Sequence, residues 1–238
     1  MSAQRGFPPP ARPSGDGGSP LGTLRRFVRP RERLEQCEIC SVAIPPDPNH
    51  RHLLDTTNRQ ILCACDACAL SLGNAESAAG SGESAEHSAP PRRYRLIPRR
   101  VHALPDFEMT DAIWDGVLIP VGMAFFFFNS AEGKMMAYYP SPAGPTESLL
   151  SPDAWEAIIR ANPDLAAMEP DVEALLVNRV RGAHDYYRVP IDECYRLVGL
   201  VRLYWQGLSG GAEVWEEIGT FFADLTRRSG PTERTSYA

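Results

Sequence analysis

Apolar and polar positions alternate in the rhythms of strands and helices between Arg92 and about Arg228. RYRLIP (93–98) reads as a short strand, and MTDAIWDG (109–116) as a helical turn capped by Thr110. VLIPVGMAFFFF (117–128) is apolar at successive positions, the pattern of a strand covered on both faces. NSAEGK (129–134) supplies turn residues and MMAYY (135–139) returns as a second strand, so a hairpin is expected. YPSPAGPTES (139–148) carries three prolines and predicts an ordered but irregular loop.

Ser151-Pro152-Asp153 is a helix start, with cap, first-turn proline and first-turn acid in sequence. Trp155, Ile158 and Ile159 share one face, and Asn162-Pro163 ends the helix. DVEALLVNRV (171–180) and YYRVP (186–190) are expected to pair as strands across RGAHD. Two amphipathic helices close the chain. In the first, Cys194, Val198, Val201 and Trp205 form the apolar face, with Glu193, Arg196 and Arg202 opposite; Asp192 reads as its cap and Gly207 as its end. In the second, Val214, Ile218, Phe221, Phe222 and Leu225 form the stripe. Acids near its start and Arg227 and Arg228 at its end complement the helix dipole. Both helices packed on one face of a mostly antiparallel sheet give an α+β domain.

Upstream the rhythm disappears. Residues 1–33 mix Pro, Gly and Ser with Arg and hold little to bury, which predicts a disordered tail; residues 229–238 predict another. Residues 73–91 (GNAESAAGSGESAEHSAPP, with its small and acidic residues) read as a flexible linker between a module at 34–72 and the domain at 92–228.

The module is where the chemistry concentrates. It holds five of the six cysteines. Cys37-x2-Cys40 and Cys65-x2-Cys68 are two knuckle spacings; two residues between thiolates let a tight turn aim both sulfurs at one ion. HRHLLD and RQILCA, around TTN, predict a hairpin between them, so the module reads as zinc-ribbon-like, with structural zinc on Cys37, Cys40, Cys65 and Cys68. A piece this small needs such a staple. Cys63 is the surplus thiol. In a regular strand it shares a face with Cys65, which leaves a thiol beside the metal, a ligand replacing Cys65 or, with His50 or His52, part of an iron–sulfur centre, against the plainer and preferred reading of a small apolar filler. His50 and His52 share a strand face as alternative ligands, or as an exposed turn edge.

Charge and composition narrow the partners. The formal net charge is -6, which disfavours nucleic acid as a partner of the whole surface. The densest basic patch is Arg92, Arg93, Arg95, Arg99 and Arg100, read as a charged edge strand. No apolar run is long enough to span a bilayer and no secretory signal is evident, so a cytoplasmic protein is expected, where clustered thiols bind metal. No phosphate-binding glycine motif or nucleophile elbow is present, and no small-molecule substrate is suggested. Cys194, with His184 and Asp192 nearby, is better placed as a buried thiol than as a nucleophile. The remaining candidate is a protein-docking surface on the Pro-rich loop, through Tyr138, Tyr139, Pro140 and Pro142, joined by Arg92, Arg93 and Arg95.

CEIC, HRHLLD, LCACDAC, YPSPAGPTESLL, EPDVEALLVNR and VPIDECYRLVGL together resemble an uncharacterised actinobacterial domain family associated with nickel–iron hydrogenase gene clusters, over about 34–227. The resemblance implies a context in hydrogenase assembly or electron routing, with a hydrogenase subunit or maturation factor as partner, and no catalytic residues. The expected function is therefore a non-catalytic, metal-stapled accessory protein. The alternatives are an iron–sulfur electron carrier and, last, a zinc-ribbon DNA-binding regulator.

Overall fold

Successive apolar side chains in an extended segment must be buried on two sides, and strand β5 (Met123–Asn129) shows how. Phe125 and Phe127 point into one hydrophobic core, Ala124 and Phe126 into another. The neighbouring strand β8 (Glu173–Asn178) divides in the same way, Ala174 and Leu176 to one core, Leu175 and Val177 to the other. The computed structural model describes residues 35–45, 50–73 and 93–229. The expected tails, the segment 74–92 and Arg92 with it lie outside these residues.

Strands β5 and β8 are central to a six-stranded sheet of order β4-β9-β8-β5-β6-β7, in which every neighbouring pair is antiparallel. Its other strands are β4 (His102–Ala103), β6 (Lys134–Ser141), β7 (Gly144–Ser148) and β9 (Asp185–Pro190). The two long helices α4 (Ile191–Tyr204) and α5 (Gly211–Arg228) supply Leu197, Val201, Ile218 and Phe222 to the first core. The short helices α2 (Asp111–Gly116) and α3 (Pro152–Ala161) cover the second core, where Ile158 is fully buried. Thr110 and Ser151 cap these two helices through Ile113 N–H and Ala154 N–H, as their sequence predicts. The architecture is the expected α+β one. No helix among the described residues is long and apolar enough to cross a membrane.

Four local expectations are corrected. The segment 139–148 is not a loop: β6 and β7 form a hairpin in which Pro140 faces Pro145. The prolines are tolerated because β7 is the sheet edge and Pro140 lies past the last β5–β6 pair, Phe125 opposite Tyr138, so no inner ladder loses a donor. The strand expected from Val117 begins only at Met123. Val117 closes helix α2, Leu118 takes a left-handed φ of 54°, and Gly122 lies so near the Arg179 backbone that a Cβ would meet it at 3.1 Å. Helix α4 ends at Tyr204, with Trp205 rather than Gly207 as its cap. Its first turn also departs from expectation. Pro190 occupies the cap position, so Asp192 is not the cap, and Glu193 is buried against Arg228 rather than facing water.

The cysteine-rich segment forms its own three-stranded antiparallel sheet, order β2-β1-β3, from β1 (Arg51–Asp55), β2 (Gln60–Ala64) and β3 (Tyr94–Leu96). The β1–β2 hairpin is the expected one; the third strand comes from beyond residue 92. A helix, α1 (Asp66–Gly73), follows β2 and packs so closely on β3 that Gly73 has no space for a side chain beside Leu96. Strand β1 also looks both ways. Leu53 enters a small core with Cys37, Ile44, Ala64 and Ala69, whereas Leu54 enters the core of α4 and α5.

Between the two sheets, Asp171 works as a polar clasp. Its carboxylate, 2 % exposed, accepts from Arg59 Nη1 (3.4 Å) in the β1–β2 turn and from Arg95 Nη1 (3.2 Å) on β3. It also accepts from the backbone N–H (2.9 Å) and hydroxyl of Ser130 in the β5–β6 turn. The guanidinium of Arg59 lies 5.0 Å over the Phe127 ring as well. The cysteine module is thus seated on the large sheet by an apolar contact and a buried carboxylate.

Candidate metal centre

The two knuckles converge. A sulfur from each of Cys37, Cys40, Cys65 and Cys68 lies within 4.8 Å of the other three. The Cys40 and Cys65 sulfurs are 3.8 Å apart. A tetrahedral ion with sulfur ligands at about 2.3 Å sets its ligands about 3.8 Å from one another, so the quartet fits one such ion.

Local structure aims each sulfur. The first knuckle is a tight turn closed by Ser41 N–H on Cys37 C=O (2.7 Å) and Cys37 N–H on Val42 C=O (2.9 Å). Ser41 takes a left-handed φ of 62° to complete it. The second knuckle is the start of helix α1. There Ala69 N–H bonds Cys65 C=O at 2.9 Å and Cys68 N–H points at the Cys65 sulfur at 3.5 Å. The knuckles are tied to each other through Glu38, whose N–H donates to Cys63 C=O (2.9 Å) and whose carboxylate accepts from Cys63 N–H (2.6 Å).

The electrostatics of the quartet prepare it for a cation. Burial pushes the Cys37 thiol up. Backbone N–H groups of Cys65, Cys40 and Ile39, with the Cys40 side chain, more than offset this and bring it down to about 6. The Cys68 thiol is pushed up to about 12, first by its bond to the Cys40 sulfur, then by Cys65, burial and the charge on Cys37. One thiolate, Cys37, is therefore stabilised while Cys68 holds its proton against it. A divalent cation removes that conflict, because it binds all four as thiolates and releases their protons.

Cys63 departs from expectation. Strand β2 ends at Ala64, and the chain bends at Cys65 into α1, so Cys63 and Cys65 do not lie on one continuous strand face. Cys63 pairs across the hairpin with His52, and its sulfur groups with His50 and His52, not with the quartet. Burial first, then the charges of Glu38, Glu35 and Cys37, hold its pKa above the ordinary thiol value.

The other candidate residues separate. Tyr138 and Tyr139 do not form a free docking loop: both are half-buried, Tyr138 stacked 5.7 Å from both Phe125 and Phe127, Tyr139 packed on the second core. Pro140 is buried and only Pro142, at the hairpin tip, is exposed. Arg93 and Arg95 are engaged with carboxylates, Arg93 on Asp55 (3.2 Å) and Arg95 on Asp171. Cys194 is fully buried in the first core, and burial, then Asp192 and Glu193, push its pKa well above the ordinary value. His184 lies by the Tyr186 hydroxyl at 3.5 Å, and no Cys–His pair forms there among the described residues. Asp171 and the Asp192–His52 contact were not foreseen, since partners 112 and 140 positions apart leave no local signal.

A family model described as a family of unknown function, DUF5947, matches residues 36–229. No curated protein and no solved structure matches the chain.

Proposed function

We propose that this chain, which belongs to the DUF5947 family, is a non-catalytic accessory protein whose N-terminal sheet is held in shape by one zinc ion on Cys37, Cys40, Cys65 and Cys68. The observation that carries the reading is the convergence of all four sulfurs, with the 3.8 Å separation that a single tetrahedral ion requires. A cluster of several irons divides its thiolates among different metals and spreads them further apart, so the geometry favours a mononuclear centre over the iron–sulfur alternative. The small core around Leu53 and Ala69 is too slight to order the segment alone, and the ion supplies the missing free energy. Its chemistry here is structural: four thiolates close the coordination sphere and leave no position for substrate.

The accessory role rests on the sheet domain. Its two cores are filled with apolar side chains, and Cys194, the thiol outside the module, is sealed from solvent. The partner we propose is a nickel–iron hydrogenase subunit or maturation factor, on sequence resemblance. The test is anaerobic purification from the native host with a tagged chain. Colourless protein carrying tightly bound zinc and enriched hydrogenase polypeptides supports the proposal. Brown protein with iron and labile sulfide overturns the zinc assignment, and no enrichment over an untagged control overturns the partner.

A further inference from the structure

Beside the quartet lies a second set of ligands. A ring nitrogen from His50, a ring nitrogen from His52 and the Cys63 sulfur all lie within 4.8 Å of one another. His52 and Cys63 face each other across the β1–β2 ladder, and His50 precedes β1 by one residue, so ordinary strand pairing builds the cluster. The two rings stand 4.5 Å apart, edge to face.

Both rings are also held as metal-bound histidines are held. His52 Nδ1 lies 2.7 Å from an oxygen of Asp192, and His50 Nδ1 lies 3.1 Å from an oxygen of Glu35. An ionised carboxylate only accepts, so Nδ1 donates in each contact and the lone pair falls on Nε2. This carboxylate–histidine arrangement fixes ring orientation and raises the basicity of the ligating nitrogen. The carboxylates come from separate parts of the chain, Asp192 from helix α4 and Glu35 from before the first knuckle.

The set also has an opening. His50, His52 and Asp192 line a cavity of about 290 Å³, together with Arg99, Glu193 and Arg228. Two of the three ligands thus face open space, which leaves a fourth coordination position for water.

We propose that His50, His52 and Cys63 form a second, open metal site, distinct from the closed quartet, for a late first-row divalent ion such as zinc, cobalt or nickel. Two imidazoles and one thiolate select that class over magnesium or calcium. The site does not depend on the quartet holding zinc, because the two share no ligand. Its position between β1 and α4 makes the ion a tie between the cysteine module and the sheet domain.

The experiment is a titration of the full, reduced, chelator-stripped chain with Co²⁺ alone, followed by absorption spectroscopy. Wild type takes up two ions at micromolar free Co²⁺. One gives strong sulfur-to-metal charge transfer from four thiolates, and the other about one quarter of that intensity. Cys63→Ser and His52→Gln each take up one ion and keep the strong band unchanged; the glutamine retains a donor for Asp192. A single ion in wild type overturns the second site. So do two ions in both variants, or loss of the strong band in both, which would make these residues part of the quartet's centre. Loss of the strong band with a surviving weak one in wild type would instead remove the quartet and leave the second site standing.

Discussion

Replacing Asp171 by Asn removes the charge that joins the two sheets and leaves the shape almost unchanged. Asp171 sits at φ 62°, a left-handed conformation that Asn also tolerates, so the backbone need not move. What changes is the bonding. The carboxylate accepts four hydrogen bonds, two from guanidiniums and two from Ser130. The amide oxygen can keep one Ser130 contact, but the amide nitrogen presents a donor where an acceptor is needed. Each charge-assisted bond contributes about 1.5–3 kcal/mol. Arg59 and Arg95 keep 28 % and 29 % of their side chains in water, so the low end applies and rehydration recovers part of it. The net loss is about 2–4 kcal/mol, a large share of the roughly 5–15 kcal/mol that holds a domain folded. With a urea slope of about 2–3 kcal/mol/M, the midpoint falls by about 1 M. Adding Arg95→Met to Asp171→Asn costs less than Arg95→Met alone, because its buried partner charge is already gone and only the exposed Glu169, 3.8 Å away, remains. A midpoint shift below about 0.2 M, or strict additivity of the two substitutions, would refute the assignment of Asp171 as the clasp.

Three further outcomes follow from the same geometry. Gly73→Ala brings a Cβ to 2.5 Å from the Leu96 Cβ and forces α1 away from β3, costing about 1–3 kcal/mol in denaturant unfolding; an unchanged midpoint would contradict that packing. The Asp55 carboxyl is held below its ordinary value, chiefly by the Thr57 hydroxyl and then, against burial, by Thr57 N–H and Arg93. Its contribution is therefore full at neutral pH and is lost as pH falls from about 4, the ordinary aspartate value, through the lower folded one; Asp55→Asn flattens that part of the stability–pH curve. Cys68 keeps its proton at neutral pH, so Zn²⁺ uptake at pH 7 in weakly buffered solution releases protons, and affinity weakens as pH is lowered; uptake with no acidification contradicts thiolate ligation there.

The features that could be read from sequence are those set within a few residues. Cys-x2-Cys spacing fixes a turn, and Ser151-Pro152-Asp153 fixes a helix start, whatever the rest of the chain does. The β1–β2 and β5–β6 hairpins follow from apolar segments around turn residues. The misread features depend on distant structure. Prolines argue against an inner strand, yet Pro145 is accommodated because β7 has no outer neighbour, and Pro140 because it lies past the last β5–β6 pair. Glu193 falls on the polar side of a helical pattern, but Arg228 from α5 reaches it and makes burial tolerable. The direction of Cys63 depends on where β2 ends, one residue before Cys65. The carboxylate that orients His52, on Asp192, arrives from 140 residues away.

The central claim is a single ion bound by four thiolates, and X-ray absorption at the zinc edge of the purified Cys63→Ser protein measures it without interference from the histidine cluster. The account predicts one zinc per chain with four sulfur neighbours at about 2.3 Å and no nitrogen or oxygen in the first shell. Protein that folds without zinc, or zinc held mainly by nitrogen and oxygen, would contradict it.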